Sequence, residues 1–413
     1  MSWTRRGLAG AALALATVPK ARAEGFAARA GTLFRPPPAD PWRAPAITRI
    51  ALPDAPGLQA IWGALGRDRA GRIWAGISAG ADGGSALLCR HDPATGQTVA
   101  MGDVLGNLRR LGLARAGEGQ IKIHSRIVEA DDGRIYFTST DEEGEVDEGD
   151  VAPPRWGSHI WRTRPDSDHW EHLLAVPEGL TCGAGFGRWY YALGLWGHVL
   201  YRLDTVSGDV ARVVVGAPGG HMSRNFVVDR RGHAFVPRVR LVKDGVAAEL
   251  VEFTPALHEV AATPLPEYSA GAKPGNSHGI TGLVTLADGA TLIAASSGAL
   301  YRIDAGRGES PAPVRPLGWF DPAGRGYVSG LQSWDGGSLV AGLVVNGPGH
   351  RHLVVRDLAA GTARTLPLND GLGEWVLLYG SQTEDAQGRF YVGGRYHDGP
   401  RLLPVLLRLA WGA

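Results

Sequence analysis

Histidine and arginine side chains recur at comparable places in this chain, each shortly before a repeated glycine. The segments are His124-Ser125-Arg126, His221-Met222-Ser223-Arg224-Asn225 and Asn276-Ser277-His278. Two guanidinium groups that face a common space repel each other unless an anion lies between them. A neutral imidazole, with an ordinary pKa of about 6.5, can accept a proton at neutral pH. These residue types therefore predict an acidic ligand held beside a general base.

Arginine and histidine together have a specific use when the ligand is a uronic acid. Arginine neutralises the carboxylate and so makes the adjacent C–H easier to ionise, while histidine removes the proton. Loss of the group across the ring bond completes a β-elimination, which needs no cofactor. The predicted catalytic residues are His124, His278 and His221, and the predicted substrate-binding residues are Arg126, Arg224, Asn225, Trp62, Gln332 and Gln382. The alternative is that each side chain only bonds carbonyl groups and water in a channel.

The elements that must position these residues are short strands joined by a turn that recurs seven times. Each turn ends in glycine, and most contain aspartate, as in Asp68-Arg69-Ala70-Gly71 and Asp385-Ala386-Gln387-Gly388. The seven glycines are Gly71, Gly133, Gly187, Gly232, Gly289, Gly336 and Gly388. A repeat of about fifty residues built from short strands is typical of radially arranged four-stranded blades. The sequence predicts an all-β fold, a seven-bladed propeller; a β-sandwich or two small domains is the alternative.

The last repeat ends near Leu409 with almost no chain left for an outermost strand. The segment from Ala46 to Leu52 precedes the first repeat and fits that place. Pairing the N-terminal and C-terminal segments in one blade would close the ring and hide two open edges. We therefore expect residues 46–413 to form a single propeller, with the innermost strands around a central channel where the site would lie.

The N-terminal residues have the pattern of an export signal. Arg5 and Arg6 precede a short apolar run from Leu8 to Val18, and Ala21-Arg22-Ala23 resembles a cleavage site. Paired arginines favour a twin-arginine signal, with an ordinary secretory signal as the alternative. The sequence predicts a signal peptide over residues 1–23, an extended lead-in over 24–45, and a periplasmic or secreted protein.

Composition fits an ordinary globular chain, and its balanced charge gives no argument for binding to nucleic acid or to a membrane surface. Lysine plus arginine number 42 and aspartate plus glutamate 41, so that the net charge is +1, and 60 glycines supply turns. We expect no membrane span and a monomer. Cys89 and Cys182 fall on distant strands, which predicts two unpaired, buried thiols.

The Asp-x-x-Gly hairpins on about fifty-residue units resemble those of the streptogramin-lyase and gluconolactonase-like propellers, over nearly the whole mature chain. His124-Ser125-Arg126 and the segment from His221 to Asn225 are similar in kind to the sites of seven-bladed polysaccharide lyases that act on rhamnose-glucuronate linkages. This resemblance implies that His124 or His278 is the base, that Arg126 and Arg224 hold the carboxylate, and that Asn225 assists.

The pattern departs from gluconolactonase-like enzymes, which hold a divalent metal with carboxylates and amides. Glu178 and Asn225 alone make a poor calcium site, so we expect neither metal nor cofactor. The acidic run from Asp141 to Asp150 lies between two strands of the second repeat. Like-charge runs of this kind favour a solvated, mobile loop, with calcium binding as the alternative.

The sequence is compatible with two main functions. The first is an exported lyase that cleaves a uronate-containing oligo- or polysaccharide. The second is a non-catalytic propeller that binds an acidic glycan or a partner protein through one face. A hydrolytic or lactone-opening enzyme is a third alternative.

Overall fold

The chain folds into seven antiparallel sheets arranged as the blades of a β-propeller, as the repeat predicts. The computed structural model describes residues 36–412 except 81–82, 147–151, 196–197, 217–222, 244, 270–277, 347–349, 370, 372 and 374–375. The predicted export signal at 1–23 and the first part of the lead-in therefore lie outside the described residues, as does His221. Among the described residues, no helix is both long enough and apolar enough to cross a bilayer.

The strands follow one another blade by blade, each blade running from the innermost strand outward. Blade 1 contains β2 (Leu58–Ala60), β3 (Leu65–Arg67), β4 (Ile73–Ala79), β5 (Leu87–His91) and β6 (Thr98–Asp103), followed by helix α1 (Val104–Arg110). Blade 2 contains β7 (Val128–Glu129), β8 (Ile135–Thr140), β9 (Ser158–Thr163) and β10 (Trp170–Val176). Blade 3 contains β11 (Leu180–Phe186), β12 (Trp189–Gly194), β13 (Val199–Asp204) and β14 (Val210–Val214).

The second half of the ring repeats this order. Blade 4 contains β15 (Val227–Val228), β16 (Ala234–Val242), β17 (Gly245–Phe253) and β18 (Glu259–Pro264). Blade 5 contains β19 (Ile280–Thr285), β20 (Thr291–Ala295), β21 (Ala299–Ile303) and β22 (Val314–Trp319). Blade 6 contains β23 (Tyr327–Trp334), β24 (Leu339–Val345), β25 (Arg351–Asp357) and β26 (Thr362–Pro367). Blade 7 contains β27 (Val376–Glu384), β28 (Phe390–Asp398), β29 (Arg401–Ala410) and, outermost, β1 (Ala46–Arg49).

Blade 7 joins the two ends of the described chain. Strand β1 runs antiparallel to β29, with Ala46 opposite Ala410 and Arg49 opposite Leu407. The predicted segment thus occupies the outermost place, although the strand stops at Arg49 rather than Leu52. Because this pairing covers the outer edge of β29, it removes an edge that would otherwise be open to other strands.

The turn between the first two strands of each blade explains why the sequence repeat is so regular. All seven anchor glycines have positive φ, between 65° at Gly187 and 86° at Gly289. Glycine adopts this conformation without the steric cost that a Cβ atom imposes. In blade 1, one oxygen of Asp68 accepts the backbone N–H of Arg72 at 2.9 Å and the other accepts the indole N–H of Trp74 at 3.0 Å. Aspartate therefore fixes the turn that joins the innermost strand to the next strand of the blade.

The hydrophobic core lies between neighbouring blades. The described residues form seven apolar clusters, and each of them joins two adjacent blades. The cluster that joins blade 7 to blade 1 packs Tyr391 and Leu406 against Ile73 and Cys89, so the ring is closed by core contacts as well as by β1. Cys89 and Cys182 are both buried free thiols, as predicted, and burial raises the pKa of each to about 12.

Candidate functional site

The central channel is lined by the innermost strands of all seven blades. A cavity of about 400 Å³ occupies one end, beside the Asp–Gly turns, and each of the seven strands contributes to its wall. We call this the hairpin end, and we call the opposite end, where the innermost strands begin, the upper end. The strands approach closely: a Cβ atom on Gly66 would lie 1.9 Å from the carbonyl oxygen of Ile127 in the next blade. Glycine at this place lets the wall of the channel form.

At the upper end, His124 and Arg224 are in contact although they come from blades 2 and 4. Both side chains are buried. The Arg224 Nη1 atom lies 3.3 Å from His124 Nε2, and His124 Nδ1 lies 2.6 Å from the carbonyl oxygen of Thr181. A carbonyl can only accept, so Nδ1 carries the proton and Nε2 accepts from Arg224. Burial first, and then the charges of Arg224 and Lys122, hold the pKa of His124 well below its ordinary value.

His278 completes the upper cluster from blade 5. Its backbone carbonyl accepts the N–H of Arg224 at 2.9 Å, and its Nδ1 atom lies 3.3 Å from the hydroxyl oxygen of Tyr327. Burial and then the charge of Arg224 lower the pKa of His278 to about 3. The imidazole is therefore neutral at any physiological pH. No described residue bonds its Nε2 atom, in contrast to both ring nitrogens of His124.

Asn225 serves the framework of this cluster. Its amide nitrogen lies 3.2 Å from the carbonyl oxygen of Ile280 and 3.4 Å from that of Thr281. Next to it, the Ser223 hydroxyl donates to the Asn225 carbonyl at 2.6 Å and accepts the N–H of Ile280 at 3.1 Å. These bonds fasten the start of blade 4 to the start of blade 5, which sets Arg224 beside His278. The predicted hydrogen-bonding group thus faces protein backbone.

Trp62 lies among cations from neighbouring blades. The Lys122 Nζ atom is 5.4 Å from the Trp62 ring centroid, and the Arg395 guanidinium carbon is 4.8 Å from it. Lys122 also forms an ion pair with Glu142 in the acidic run. Cation–π contacts of this kind fix the ring beside a positively charged surface.

The described part of the acidic run makes contacts with the rest of the protein at Asp141, Glu142 and Glu143. Asp141 is buried and accepts the backbone N–H groups of Glu143 and Trp156, each at 3.1 Å. Glu143 pairs with Arg155 at 2.6 Å. Burial, ahead of the opposing backbone hydrogen bonds, raises the pKa of Asp141. The expectation of a solvated side chain is therefore wrong for Asp141, whereas Glu142 and Glu143 are half-buried and each pairs with a cation.

Arg126 lies on the same innermost strand segment as His124 but belongs to the other end of the channel. It lines the hairpin-end cavity, whose wall contains neither His124, Arg224 nor His278. Burial lowers the pKa of the Arg126 guanidinium to about 10. The two arginines that the sequence predicted as one carboxylate clamp thus occupy different parts of the channel.

Gln382 and Gln332 bond protein groups between blades. The Gln382 side-chain oxygen accepts the N–H of Leu331 at 2.5 Å, while its amide nitrogen donates to the carbonyls of Leu283 at 2.5 Å and Leu331 at 2.9 Å. It therefore connects blades 5, 6 and 7 across the channel wall. Gln332 donates to the carbonyl of Gly388 at 2.6 Å and faces Glu384 at 3.4 Å.

Several residues of the channel were missed by sequence reasoning. Tyr327 contacts His278, Lys122 contacts Trp62, and Arg67 and Arg230 line the hairpin-end cavity. Lys122 stands two positions before His124, so the alternation of a strand could have placed both on one face. Arg230 belongs to the turn that ends at Gly232, where the sequence gives no sign that it lines the channel. Nothing in the sequence marks Tyr327, because its contact with His278 joins two blades.

The described residues contain no group of three or more histidine, cysteine or carboxylate side chains placed to hold a metal ion. What the upper cluster offers instead is a guanidinium between two neutral imidazoles, with a phenol beside one of them. Such a set can bind an anion and exchange a proton with it.

No protein-family model matches the chain, and no curated protein matches it. Solved structures do resemble it. One is a chain of a mitotic checkpoint complex, with a TM-score of 0.53 and 7% sequence identity over 99% of both chains. Another is YCF48 bound to a D1 peptide, with a TM-score of 0.52 and 12% identity over 91% of this chain and 97% of that one. At such identities the likeness concerns the fold alone, and it gives no support to the predicted lyase resemblance.

Proposed function

We propose that the protein is a carbohydrate lyase that cleaves a uronate-containing glycan by β-elimination at the upper end of the channel. The observation that carries the proposal is the convergence of His124, Arg224 and His278 from three blades. Arg224 would bind the uronate carboxylate, and a neutral imidazole would remove the proton from the adjacent carbon. The predicted export signal makes the proposed location periplasmic or secreted.

His278 is the better base of the two histidines. Both ring nitrogens of His124 are already bonded, to Thr181 and Arg224, so this residue positions the guanidinium. The base would be His278 in the tautomer that donates from Nδ1 to the Tyr327 oxygen and leaves the Nε2 lone pair for the substrate. Since Arg224 depresses the pKa of His278, a carboxylate that neutralises Arg224 would raise the basicity of His278 as it binds.

The proposed step balances without a cofactor. His278 Nε2 takes the proton from C5 of the uronate, and the electron pair of that C–H bond forms the C4–C5 double bond. The C4–O bond breaks with its electrons leaving on oxygen, and the Tyr327 hydroxyl donates a proton to that oxygen. His278 then returns a proton to the phenolate, directly or through water. Charge developing on the carboxylate in the transition state is stabilised by Arg224.

A direct test is to incubate the purified chain with a panel of uronate-containing glycans and follow the ultraviolet absorbance of the new double bond. The proposal expects a rising signal on at least one glycan, with loss of the signal in His278→Ala. No increase in absorbance with any glycan of the panel would contradict the proposal, provided that circular dichroism shows the protein to be folded.

A second candidate is a propeller that binds an acidic glycan or a partner protein without turnover. One similar structure, YCF48, is described as bound to a D1 peptide, which favours a binding function without turnover. The observation on this chain is that a ligand carboxylate could bind Arg224 while His278, with a pKa of about 3, stays too weak a base. This candidate expects binding that Arg224→Gln weakens, and no double-bond formation from any glycan that binds.

A further inference from the structure

The hairpin end of the channel collects three arginines that the proposed reaction does not use. Arg67 comes from blade 1, Arg126 from blade 2 and Arg230 from blade 4, and all three line the cavity of about 400 Å³. The turn sequences explain this arrangement only in part, since Arg230 belongs to the turn of its blade whereas Arg126 precedes its innermost strand. They share one cavity because the ring brings the innermost strands of their blades together.

The positive charge of these side chains is not balanced by their own contacts. No described residue forms a hydrogen bond or ion pair with Arg126, and burial alone accounts for the lowering of its pKa to about 10. The Nη2 atom of Arg230 is buried without a hydrogen-bond partner. Arg67 donates to the carbonyl oxygen of Asp385 at 3.1 Å, which is a neutral acceptor. Arg126 and Arg230 are half-buried, and even partial removal of a guanidinium from water without a counterion costs free energy.

The carboxylates in the same wall are engaged elsewhere. Glu129 pairs with Arg69 at 3.5 Å and accepts its backbone N–H. Asp229 pairs with Arg231 at 2.6 Å. Glu384 faces the Gln332 amide at 3.4 Å and has a further contact. These three groups moderate the potential of the cavity, but none forms an ion pair with Arg126 or Arg230.

We propose that the hairpin end is a second binding site, which takes a small ligand bearing a carboxylate or phosphate group. A guanidinium presents parallel N–H donors that match two oxygens of such an anion. The cavity volume lies within the range of small-molecule sites, roughly 300–1,000 Å³. Because the cavity wall excludes His124, Arg224 and His278, this site is separate from the upper cluster and its occupancy does not depend on the proposed reaction.

Isothermal titration with inorganic phosphate and with succinate, at constant ionic strength in chloride, tests the site and separates the two ligand chemistries. The parent is expected to bind at least one of them with a stoichiometry of one. Arg126→Met and Arg230→Met should each weaken that binding at least tenfold. Arg240→Met is the matched control, because Arg240 is 66% exposed and pairs with Glu249 on the surface. Absence of binding to both anions, or equal binding in Arg126→Met, would overturn the proposal.

Two further measurements guard against misfolding and against binding at the other end. In phosphate-free buffer, Arg126→Met should unfold at the same or a higher temperature than the parent, since it loses a desolvated charge and no hydrogen bond. A lower temperature would mean that Arg126 has a protein partner, which contradicts the proposal. Arg224→Gln should bind phosphate or succinate with the affinity of the parent. Loss of that affinity would show that the anion binds at the upper end, which contradicts the proposed site at the hairpin end.

Discussion

The arginine side chains at the two ends of the central channel have different contacts. At the upper end, Arg224 donates to His124 and its backbone holds His278, so that the guanidinium is fixed within a bonded cluster. At the hairpin end, Arg126 has no partner among the described residues. Both ends are built from the same repeated strand. The difference arises because the upper end offers Arg224 one neutral imidazole, that of His124, as an acceptor. At the hairpin end, turn arginines engage two of the carboxylates, Arg69 with Glu129 and Arg231 with Asp229.

Similar residue types in similar repeat positions therefore have different surroundings at the two ends of the channel. Under the proposed function, the bonded guanidinium of Arg224 beside a neutral base acts on a ligand, because position and proton acceptor are already provided. Under the proposal for the hairpin end, Arg126 instead binds an anion in the cavity. Each of the following predictions tests one side of this contrast.

The largest expected effect is on turnover at the upper end. His278→Ala removes the proposed base and should lower kcat on a cleaved glycan by roughly 10²–10⁴-fold, the usual contribution of general base catalysis. His91→Gln is the control, because His91 is buried on β5, bonds Thr98 at 3.0 Å and should be dispensable for turnover. Equal kcat values for His278→Ala and the parent, measured by double-bond absorbance, would remove His278 from the mechanism.

The next effect separates the two arginines. Arg224→Gln should weaken binding of a uronate ligand by roughly 10–100-fold, the loss of charge-assisted hydrogen bonds. It should also raise the pKa of His278 from about 3 toward its ordinary value, because a nearby positive charge is gone. Arg126→Met should leave the pKa of His278 unchanged. Proton NMR titration of the imidazole decides this, and the contrast between the ends fails if both variants shift the pKa alike.

A third prediction concerns the wall between the blades. Gln382→Leu removes three hydrogen bonds and leaves backbone groups of Leu283 and Leu331 unsatisfied. The free energy of unfolding should fall by roughly 1–3 kcal/mol. Gln97→Leu is the control, because Gln97 is exposed. Urea denaturation measures both variants; an unchanged midpoint for Gln382→Leu would show that these bonds do not hold the channel together.

The last prediction is a dependence of stability on pH. The pKa of His278 is lowered to about 3 in the folded chain, whereas in the unfolded chain it is about 6.5. Between these two pH values the unfolded state therefore binds one more proton than the folded state does. The stability contributed by this neutral imidazole is complete above pH 6.5 and is lost as the pH falls, by about 1.4 kcal/mol per pH unit. His278→Gln should show a shallower loss than the parent in urea titrations from pH 7 to pH 4; matching slopes would contradict the depressed pKa.

Much of the fold could be read from the chain because it depends on local chemistry. A glycine with positive φ and an aspartate that accepts turn N–H groups act within a few residues of each other, and seven such turns define seven blades. The location of the catalytic candidates was partly accessible for the same reason, since position within the repeat put His124, Arg224 and His278 near the starts of innermost strands.

The roles of individual polar residues were less accessible. Gln382 and Asn225 were predicted to bind substrate, but their amides bond carbonyl groups on other blades, at distances in sequence of 51 to 99 residues for Gln382 and 55 to 56 for Asn225. Strand alternation predicts the face of the sheet on which a side chain lies. It does not predict which groups of another blade contact that side chain. The burial of Asp141 was not predicted for a related reason, because the fold brings Trp156 to it, as it brings Lys122 to Glu142.

By itself, the sequence determined the number of blades, the turn that begins each hairpin, and the presence of histidine and arginine in the channel. Only the tertiary structure decided which of these residues meet. Closing the ring put Arg224 beside His124 and His278 and left Arg126 with Arg67 and Arg230 around a separate cavity. The physical reason is that turn conformation is set by neighbours along the chain, whereas the balance of a buried charge depends on groups contributed by other blades.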